Sequence, residues 1–399
     1  MKPAIIIAEY NPFHNGHKYH IEQTRALTGA THVVAIMSGN FTQRGDTAIV
    51  PKHIRARAAV AGGADLVIEL PVAFALSSAE QFALGAVRLA NALCDNVGES
   101  VLSFGSECGE LNLLEEAAGA VTYAATTDDF FGAMKRGKSY PAALQAAVEE
   151  HYSDDVVQVL ASPNNTLGVE YLKALSETGS RIKPFTIPRI GAGHDEQLTV
   201  DGGVASAMQI RSLLLSGKAA DALTPMEFGQ DTDFADIKRL EIAILSKLRT
   251  MSPKDIRKAP NVGGGLENRL FNGVRLARNL NELHCLAKTK RYTLARIRRA
   301  VLCCFLGITQ SDVKLGVQYV RILAMNSRGK ELISAASAGG CPLPIDTSAA
   351  ALSKKNDSAL RQAALEDRCT NIYGLAFEKP LPCGREFTEK PIISDGISP

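Results

Sequence analysis

The chain has 399 residues, 46% hydrophobic and 22% charged, enough for two or three domains of roughly 100–200 residues, and this excludes intrinsic disorder as its main state. No apolar run reaches the roughly 20 residues of a membrane span, which excludes an integral membrane protein. The formal net charge of +2 hides a partition: residues 251–300 hold twelve Lys/Arg against three Asp/Glu, so a local +9 sits in a chain otherwise at −7, the pattern of a face built for a polyanion.

In chain order, Ala4–Ala8 reads as a first buried strand and not a signal peptide, because Glu9 and Asn11 interrupt the apolar run. A helix is expected over His14–Leu27, a strand over Thr31–Met37, a helix over Pro51–Gly62 and a strand over Asp65–Leu70. A long Ala/Leu helix (Ser78–Leu93) and a strand (Ser100–Phe104, ending at Gly105) follow. Short β-branched runs separated by helices predict a doubly wound α/β fold, its parallel sheet covered on both faces and its ligands beyond the carboxyl ends of the strands. Residues 111–160 read as helical, Ser162–Leu175 as a Pro-Asn-Asn turn and helix, Ile182–Ile187 as a strand, Gly191–Gly203 as a loop and Ala205–Ser216 as a helix. From Asp233 to Gly307 the pattern is almost purely helical. Residues 308–399 mix helical periods with Pro/Gly/Ser punctuation, and the end after Lys379-Pro380 reads as loose. The eight cysteines (Cys94, Cys108, Cys285, Cys303, Cys304, Cys341, Cys369 and Cys383) form no CxxC pair. They read as buried hydrophobes or incidental thiols of a reducing cytoplasm, not as a zinc site.

The strongest local signal is Glu9-Tyr10-Asn11-Pro12-Phe13-His14-Asn15-Gly16-His17, directly after the first strand. Pro12 restricts the turn, Gly16 permits a close backbone approach, and His14 and His17 share a helix face. Free N–H groups and the helix dipole attract anions at such a terminus. Three readings stand side by side: a metal cluster of His14, His17 and His20, a structural histidine pair, and a phosphate site. The strand–turn–helix context favours the last. After the second strand, Met37-Ser38-Gly39-Asn40-Phe41 leads to Gln43, Arg44 and Asp46, where Arg44 is either a phosphate or carboxylate ligand or a plain surface arginine. Of Lys52, Arg55 and Arg57, at least one belongs to a solvated face. Gly105 is either a turn glycine or a place where a nucleotide comes close. One of Asn164 and Asn165 serves as a helix cap.

The second constellation runs from Lys288 to Arg299. Arg296 and Arg299 share a helix face, Lys288, Lys290 and Arg291 precede it, and Tyr292 is placed to stack a base. Phosphate contacts there would make binding salt-dependent. Arg269, Arg275 and Arg278 extend the basic face; a merely solvated charged helix is the alternative.

His14-Asn15-Gly16-His17 after a first strand resembles the HxGH motif of the HIGH-type nucleotidyltransferase superfamily. The wider set AEYNPFHNGHKYHIEQ, MSGNFTQRGD (37–46), DLVIELP (65–71), FGSE (104–107), SPNNTLGVEYLKAL (162–175) and GLENRL…KTKRYTLARIRRA (265–300) resembles the tRNA(Met) cytidine acetate ligase family, from residue 1 to about 325 and more thinly beyond. The resemblance implies a Rossmann-like ATP-binding nucleotidyltransferase domain over 1–220, a mainly helical tRNA-binding domain over 233–379 and a loose tail over 380–399. It implies that ATP and acetate give acetyl-adenylate and pyrophosphate, and that the acetyl group passes to N4 of the wobble cytidine of elongator tRNA(Met), without acetyl-CoA and in the cytoplasm. It implies catalytic roles for His14 and His17. The implied ATP-binding set is Ile7, Ala8, Glu9, Tyr10, Asn11, Pro12, Phe13, His14, Asn15, Gly16, His17, His20, Gly105, Asn165, Arg189, Ser206 and Arg211. Ala205–Arg211 (ASAMQIR) matches the second signature, ISSTxIR, but Met208 replaces its Thr and donates no hydrogen bond. Adenylation needs no protein nucleophile, only positioning and charge stabilisation, with Mg²⁺ held chiefly by phosphates. The RNA-binding set is Lys288, Lys290, Arg291, Tyr292, Arg296 and Arg299. Two other functions use the same residues: a small-molecule nucleotidyltransferase acting on a phosphorylated metabolite, which leaves the +9 segment unexplained, and a non-catalytic RNA-binding protein, against which the intact His14, Gly16 and His17 argue.

Overall fold

The computed structural model describes residues 1–189, 205–229 and 231–394. Its strands are β1 (Pro3–Ala8), β2 (His32–Ser38), β3 (Phe41–Thr42), β4 (Asp46–Thr47), β5 (Leu66–Leu70), β6 (Val101–Ser106), β7 (Lys183–Pro188), β8 (Val320–Met325), β9 (Ile345–Asp346) and β10 (Ile392–Ile393). The main sheet runs β10-β8-β5-β2-β1-β6-β7, with β9 beside β8, while β3 and β4 form a separate hairpin. From β5 to β7 every pairing is parallel. The chain builds outward from β1 to β2 and β5, then returns to the other side of β1 as β6. The topological switch point therefore lies between β1 and β6, where an open α/β sheet forms its ligand crevice.

Alternation along each strand divides the core. Ile5, Val34, Ile36, Leu66 and Ile68 face one side, where the helices Ala79–Cys94, Leu111–Ala124 and Pro163–Glu177 cover them. Ile6, Val33, Ala35, Met37 and Val67 face the other, under Asn15–Thr28, Lys52–Ala61 and Ala207–Leu215. All seven residues of β2 are buried, as expected of a parallel strand covered on both faces. A third apolar core joins the helices Glu241–Arg249, Leu266–Leu276, Leu280–Ala287, Leu294–Leu306 and Asp357–Tyr373, and takes in Phe41, Val72, Ala73 and Leu76 from the segments that follow β2 and β5. Cys303 and Cys304 lie in it as small buried hydrophobes, their thiols pushed up by burial, Cys304 to about 12.

The far end of the chain departs from the sequence reading. Tyr319–Met325, expected to be helical or loop, supplies β8, which pairs antiparallel with β5 through Leu66↔Met325 and Val67↔Ala324. β10 then adds to β8. The stretch after 379 read as loose, yet it carries the short helix Arg385–Thr388, whose Glu386 is buried. The reason is a single buried cation: Lys52 Nζ lies 2.7 Å from Glu69 Oε1 and 2.6 Å from Glu386 Oε2. A buried ammonium needs several acceptors, and the C-terminal stretch brings one of them.

Candidate active site

β1 delivers the chain to the switch point, and Glu9–Phe13 turn sharply beneath the next helix. Tyr10 adopts a positive φ of 48° and is buried edge-on to Phe13, ring centroids 5.0 Å apart. Two partners fix the turn at Asn11: its Oδ1 accepts from Ile49 N at 2.8 Å, and its carbonyl accepts from Arg211 Nη1 at 2.6 Å. The turn thus joins the two signatures of the sequence, and Pro12 and Phe13 within it are buried.

His14 is the N-cap of helix Asn15–Thr28, and its ring stacks on His17 at 3.6 Å between centroids. The His14 backbone N–H donates to His17 Nδ1 at 3.2 Å, which makes Nδ1 an acceptor and leaves Nε2 to carry the proton of the neutral ring. A Cβ on Gly16 would stand 3.0 Å from His14 Cε1, so the stack needs a glycine there. Burial lowers the pKa of His14 to about 4, with Arg189 and Arg211 adding to the effect, and lowers His17 well below its usual value. His20, also lowered to about 4 chiefly by burial, places Nε2 3.3 Å from Ser103 Oγ on β6. Charging both stacked rings at once costs about 4 kcal/mol at an effective dielectric near 20. On its own the pair therefore favours the neutral form, and an anion placed beside it would shift the balance toward protonation.

The other predicted ATP-binding residues fall in several places. Ile7 and Ala8 are half-buried at the end of β1. Asn15 ties the helix to a neighbouring loop, with Nδ2 donating to the Ala222 carbonyl at 3.0 Å. Gly105 pairs with Ile187, and a Cβ there would lie 3.3 Å from the Arg189 side chain. Arg189 is exposed at the end of β7, its N–H on the Ser106 carbonyl at 3.0 Å. Asn165 lies inside the first turn of helix Pro163–Glu177, not in a turn before it; its Oδ1 accepts from Glu107 N (2.7 Å) and Cys108 N (3.2 Å). The Glu107 carboxylate in turn accepts from Asn165 N and Asn164 Nδ2. Asn165 Nδ2 makes no hydrogen bond among the described residues. Ser206 caps helix Ala207–Leu215, its Oγ accepting from Gln209 N at 3.3 Å, and Met208 is 62% exposed. Of that signature, Arg211 is the residue that reaches the histidine turn. The predicted loop Gly191–Gly203 lies outside the described residues.

Sequence reasoning missed a clamp. Arg55 is fully buried and donates to the carbonyls of Glu9 (2.6 Å), Ser38 (3.1 Å), Val50 (3.1 Å) and Gly39. One guanidinium thereby holds the ends of β1 and β2 together, and the loop after β2 with them. Arg57 is the solvated member of that helix. Among the described residues no group of three or more His, Cys, Asp or Glu side chains is placed to hold a metal.

The basic segment is corrected in part. Lys288, Lys290 and Arg291 are exposed on a tight turn closed by Thr289 and Tyr292. Tyr292 is only 4% exposed and its hydroxyl donates to the Gly264 carbonyl, so its ring does not offer a stacking face. Arg296 donates to the Asn261 carbonyl at 2.8 Å, and the buried Arg299 to the Gln43 carbonyl at 3.0 Å. These two do share a helix face, as read, but both are turned to protein carbonyls, Arg296 to the loop at Asn261 and Arg299 to the hairpin β3–β4. There Gly45 (φ 76°) lies so close that a Cβ would stand 2.7 Å from Arg298 Cβ and Arg299 N.

A family model described as HIGH Nucleotidyl Transferase matches residues 1–385. Three relatives are named tRNA(Met) cytidine acetate ligase. That of Acetivibrio thermocellus is 36% identical, covering 98% of this chain and 100% of its own. That of Alkaliphilus metalliredigens is 36% identical over 93% of each, and that of Staphylococcus aureus is 35% identical over 84% and 86%. The crystal structure of Thermotoga maritima TmcAL bound with alpha-thio ATP superposes with a TM-score of 0.87 at 30% identity, covering 99% of this chain and 100% of that one. The apo form of the same protein superposes with the same score.

Proposed function

This chain belongs to the tRNA(Met) cytidine acetate ligase family, and on that premise we propose that it joins acetate to the wobble cytidine of elongator tRNA(Met) at the expense of ATP. The observation that carries the reading is the neutral, stacked His14–His17 pair at the switch point, with Arg211 bonded to the turn that holds it. An acetate oxygen attacks the α-phosphorus, the bond to the bridging oxygen breaks, and pyrophosphate leaves with the electron pair. His14 and His17 face the growing negative charge as donors, and Arg189 and Arg211 add positive charge on either side. Asn165 Nδ2 and the Gly105 approach suit the nucleoside. Mg²⁺ would be held chiefly by the phosphates and would neutralise part of their charge, since among the described residues no group of three or more His, Cys, Asp or Glu side chains is placed to cage it. The acetyl group then moves from AMP to N4, giving N4-acetylcytidine, and acetyl-CoA takes no part.

RNA reaches the site over the exposed Lys288, Lys290 and Arg291, with Arg44, Arg269, Arg275 and Arg278 as further positive charge. Tyr292, Arg296 and Arg299 act behind that surface as its supports. We place the enzyme in the cytoplasm, in keeping with eight unpaired cysteines. Among the described residues, no helix is long and apolar enough to cross a membrane.

The test is acetate-dependent exchange of pyrophosphate into ATP without RNA, followed by addition of tRNA(Met) and mass analysis of its nucleosides. The expected result is exchange only with acetate, then N4-acetylcytidine only with tRNA. Exchange driven by a phosphorylated metabolite in place of acetate sinks the proposal in favour of a small-molecule nucleotidyltransferase.

A further inference from the structure

Acetyl transfer to an aromatic amine needs a proton acceptor. As N4 attacks the acetyl carbonyl, the N–C bond forms, the C–O bond to AMP breaks, and AMP leaves with the electron pair. N4 must also give up a proton. The histidine pair is committed to the phosphate side, with His17 Nδ1 occupied by the His14 N–H.

Glu9 stands at the same strand end without such a commitment. Glu9 Oε1 accepts from Gln43 N at 2.6 Å, and among the described residues no other hydrogen bond reaches the carboxylate. The charges of Arg44 on the hairpin, Arg211 on the second-signature helix and Arg55 on helix Lys52–Ala61 act on the half-buried carboxylate, whose own charge is felt at the Tyr171 hydroxyl on helix Pro163–Glu177, a group without a hydrogen bond among the described residues. The residue that orients it also reaches the basic helix, because the Gln43 carbonyl accepts from Arg299. Glu9 is thus placed between the histidine turn and the element beside the exposed Lys288–Arg291 turn.

We propose that the Glu9 carboxylate is the base that removes the N4 proton during acetyl transfer, a step that rests on the ligase reading above. Burial raises its pKa, although Gln43 N–H and the arginines Arg44, Arg211 and Arg55 pull the other way. A carboxylate raised toward the working pH is a stronger base than a free one. Asp46 is the rival: it too is raised by burial and has one oxygen held by a backbone N–H, but it sits within reach of the Asp236 charge, whereas the charges acting on Glu9 are those of arginines.

The experiment loads the full chain with ATP and labelled acetate, mixes it rapidly with unmodified tRNA(Met) transcript, and follows acetyl transfer from below to above neutral pH. Glu9→Gln keeps an oxygen for the Gln43 N–H but cannot take a proton. Wild-type transfer is expected to rise with pH and level off once Glu9 is ionised. Relative to any change in pyrophosphate exchange, Glu9→Gln is expected to transfer about 100-fold or more slowly and with a flat profile. Glu9→Asp is expected to be slow but to keep the rise. Transfer by Glu9→Gln within about threefold of wild type, against the hundredfold or more that a lost base costs, with the pH rise intact, overturns the assignment. So does a profile flattened by Asp46→Asn and not by Glu9→Gln. Failure of the wild type itself to form N4-acetylcytidine removes the ligase reading along with this one, and is told apart by the absence of any product.

Discussion

His14 and His17 differ from ordinary surface histidines in what they are denied. Buried, stacked and close to the charges of arginines, they hold protons less readily than a free imidazole. Replacing either by Ala removes a donor at the site of developing charge and is expected to lower acetate-dependent pyrophosphate exchange by about 100- to 1000-fold. Filter binding of tRNA is expected to be unchanged, since the proposed RNA contacts lie at Lys288, Lys290 and Arg291 and not at the histidines. The same burial has a consequence for stability. His20 is held at about 4 against an ordinary 6.5. Between those values the unfolded chain binds a proton that the folded chain refuses. The stability this group contributes is therefore whole above pH 6.5 and falls as pH drops toward 4. Glu9 and Glu69, raised by burial, run in the opposite direction, but they are common to both proteins in a comparison. His20→Gln should give a shallower fall of Tm with acidification than wild type in thermal scans; an unchanged slope contradicts a neutral buried His20.

At the scale of elements, the Lys52 cluster decides how the last strand and tail attach. Burial works against the Lys52 charge, and Glu386 and Glu69 more than offset it. Removing one partner of a buried pair leaves the others uncompensated, and Lys52→Met is expected to cost about 3–5 kcal/mol in denaturant unfolding. A loss under about 1 kcal/mol would mean the pair contributes no more than an exposed one. The elements differed in how far their sequence revealed them. β1, β2, β5 and β6 were readable because short apolar runs alternated with amphipathic helices, and the histidine turn because its chemistry is local. β8 was not, since Tyr319–Met325 has no period that separates strand from helix and its partner lies far back in the chain. Arg55 was hidden for another reason: an arginine on a helix reads as solvated by default, and only packing shows four carbonyls around it. At Arg296 and Arg299, spacing revealed a shared face but not which way that face points.

At the scale of the whole molecule, the local +9 of residues 251–300 divides into two jobs. Arg296 bonds to the loop at Asn261 and Arg299 to the hairpin, while Lys288, Lys290 and Arg291 are exposed, and on the proposed reading they meet RNA phosphate. Replacing these last three by Ser is expected to weaken tRNA binding and to flatten the plot of log affinity against log salt by about two units, at roughly 0.7 for each phosphate no longer neutralised. An unchanged slope would move the RNA path elsewhere.

The pairing of β5 with β8 also bears on how the protein is made. Leu66–Leu70 is wholly buried, and the strand that covers its outer edge is Val320–Met325. On a ribosome working at about 5–20 residues per second, some 250 residues separate the two, so this apolar edge waits roughly 12–50 s for its neighbour. An unpaired hydrophobic strand is a template for other chains. The nascent polypeptide therefore carries the outer edge of β5 unpaired through the whole interval between the two strands, and folding closes this edge only late.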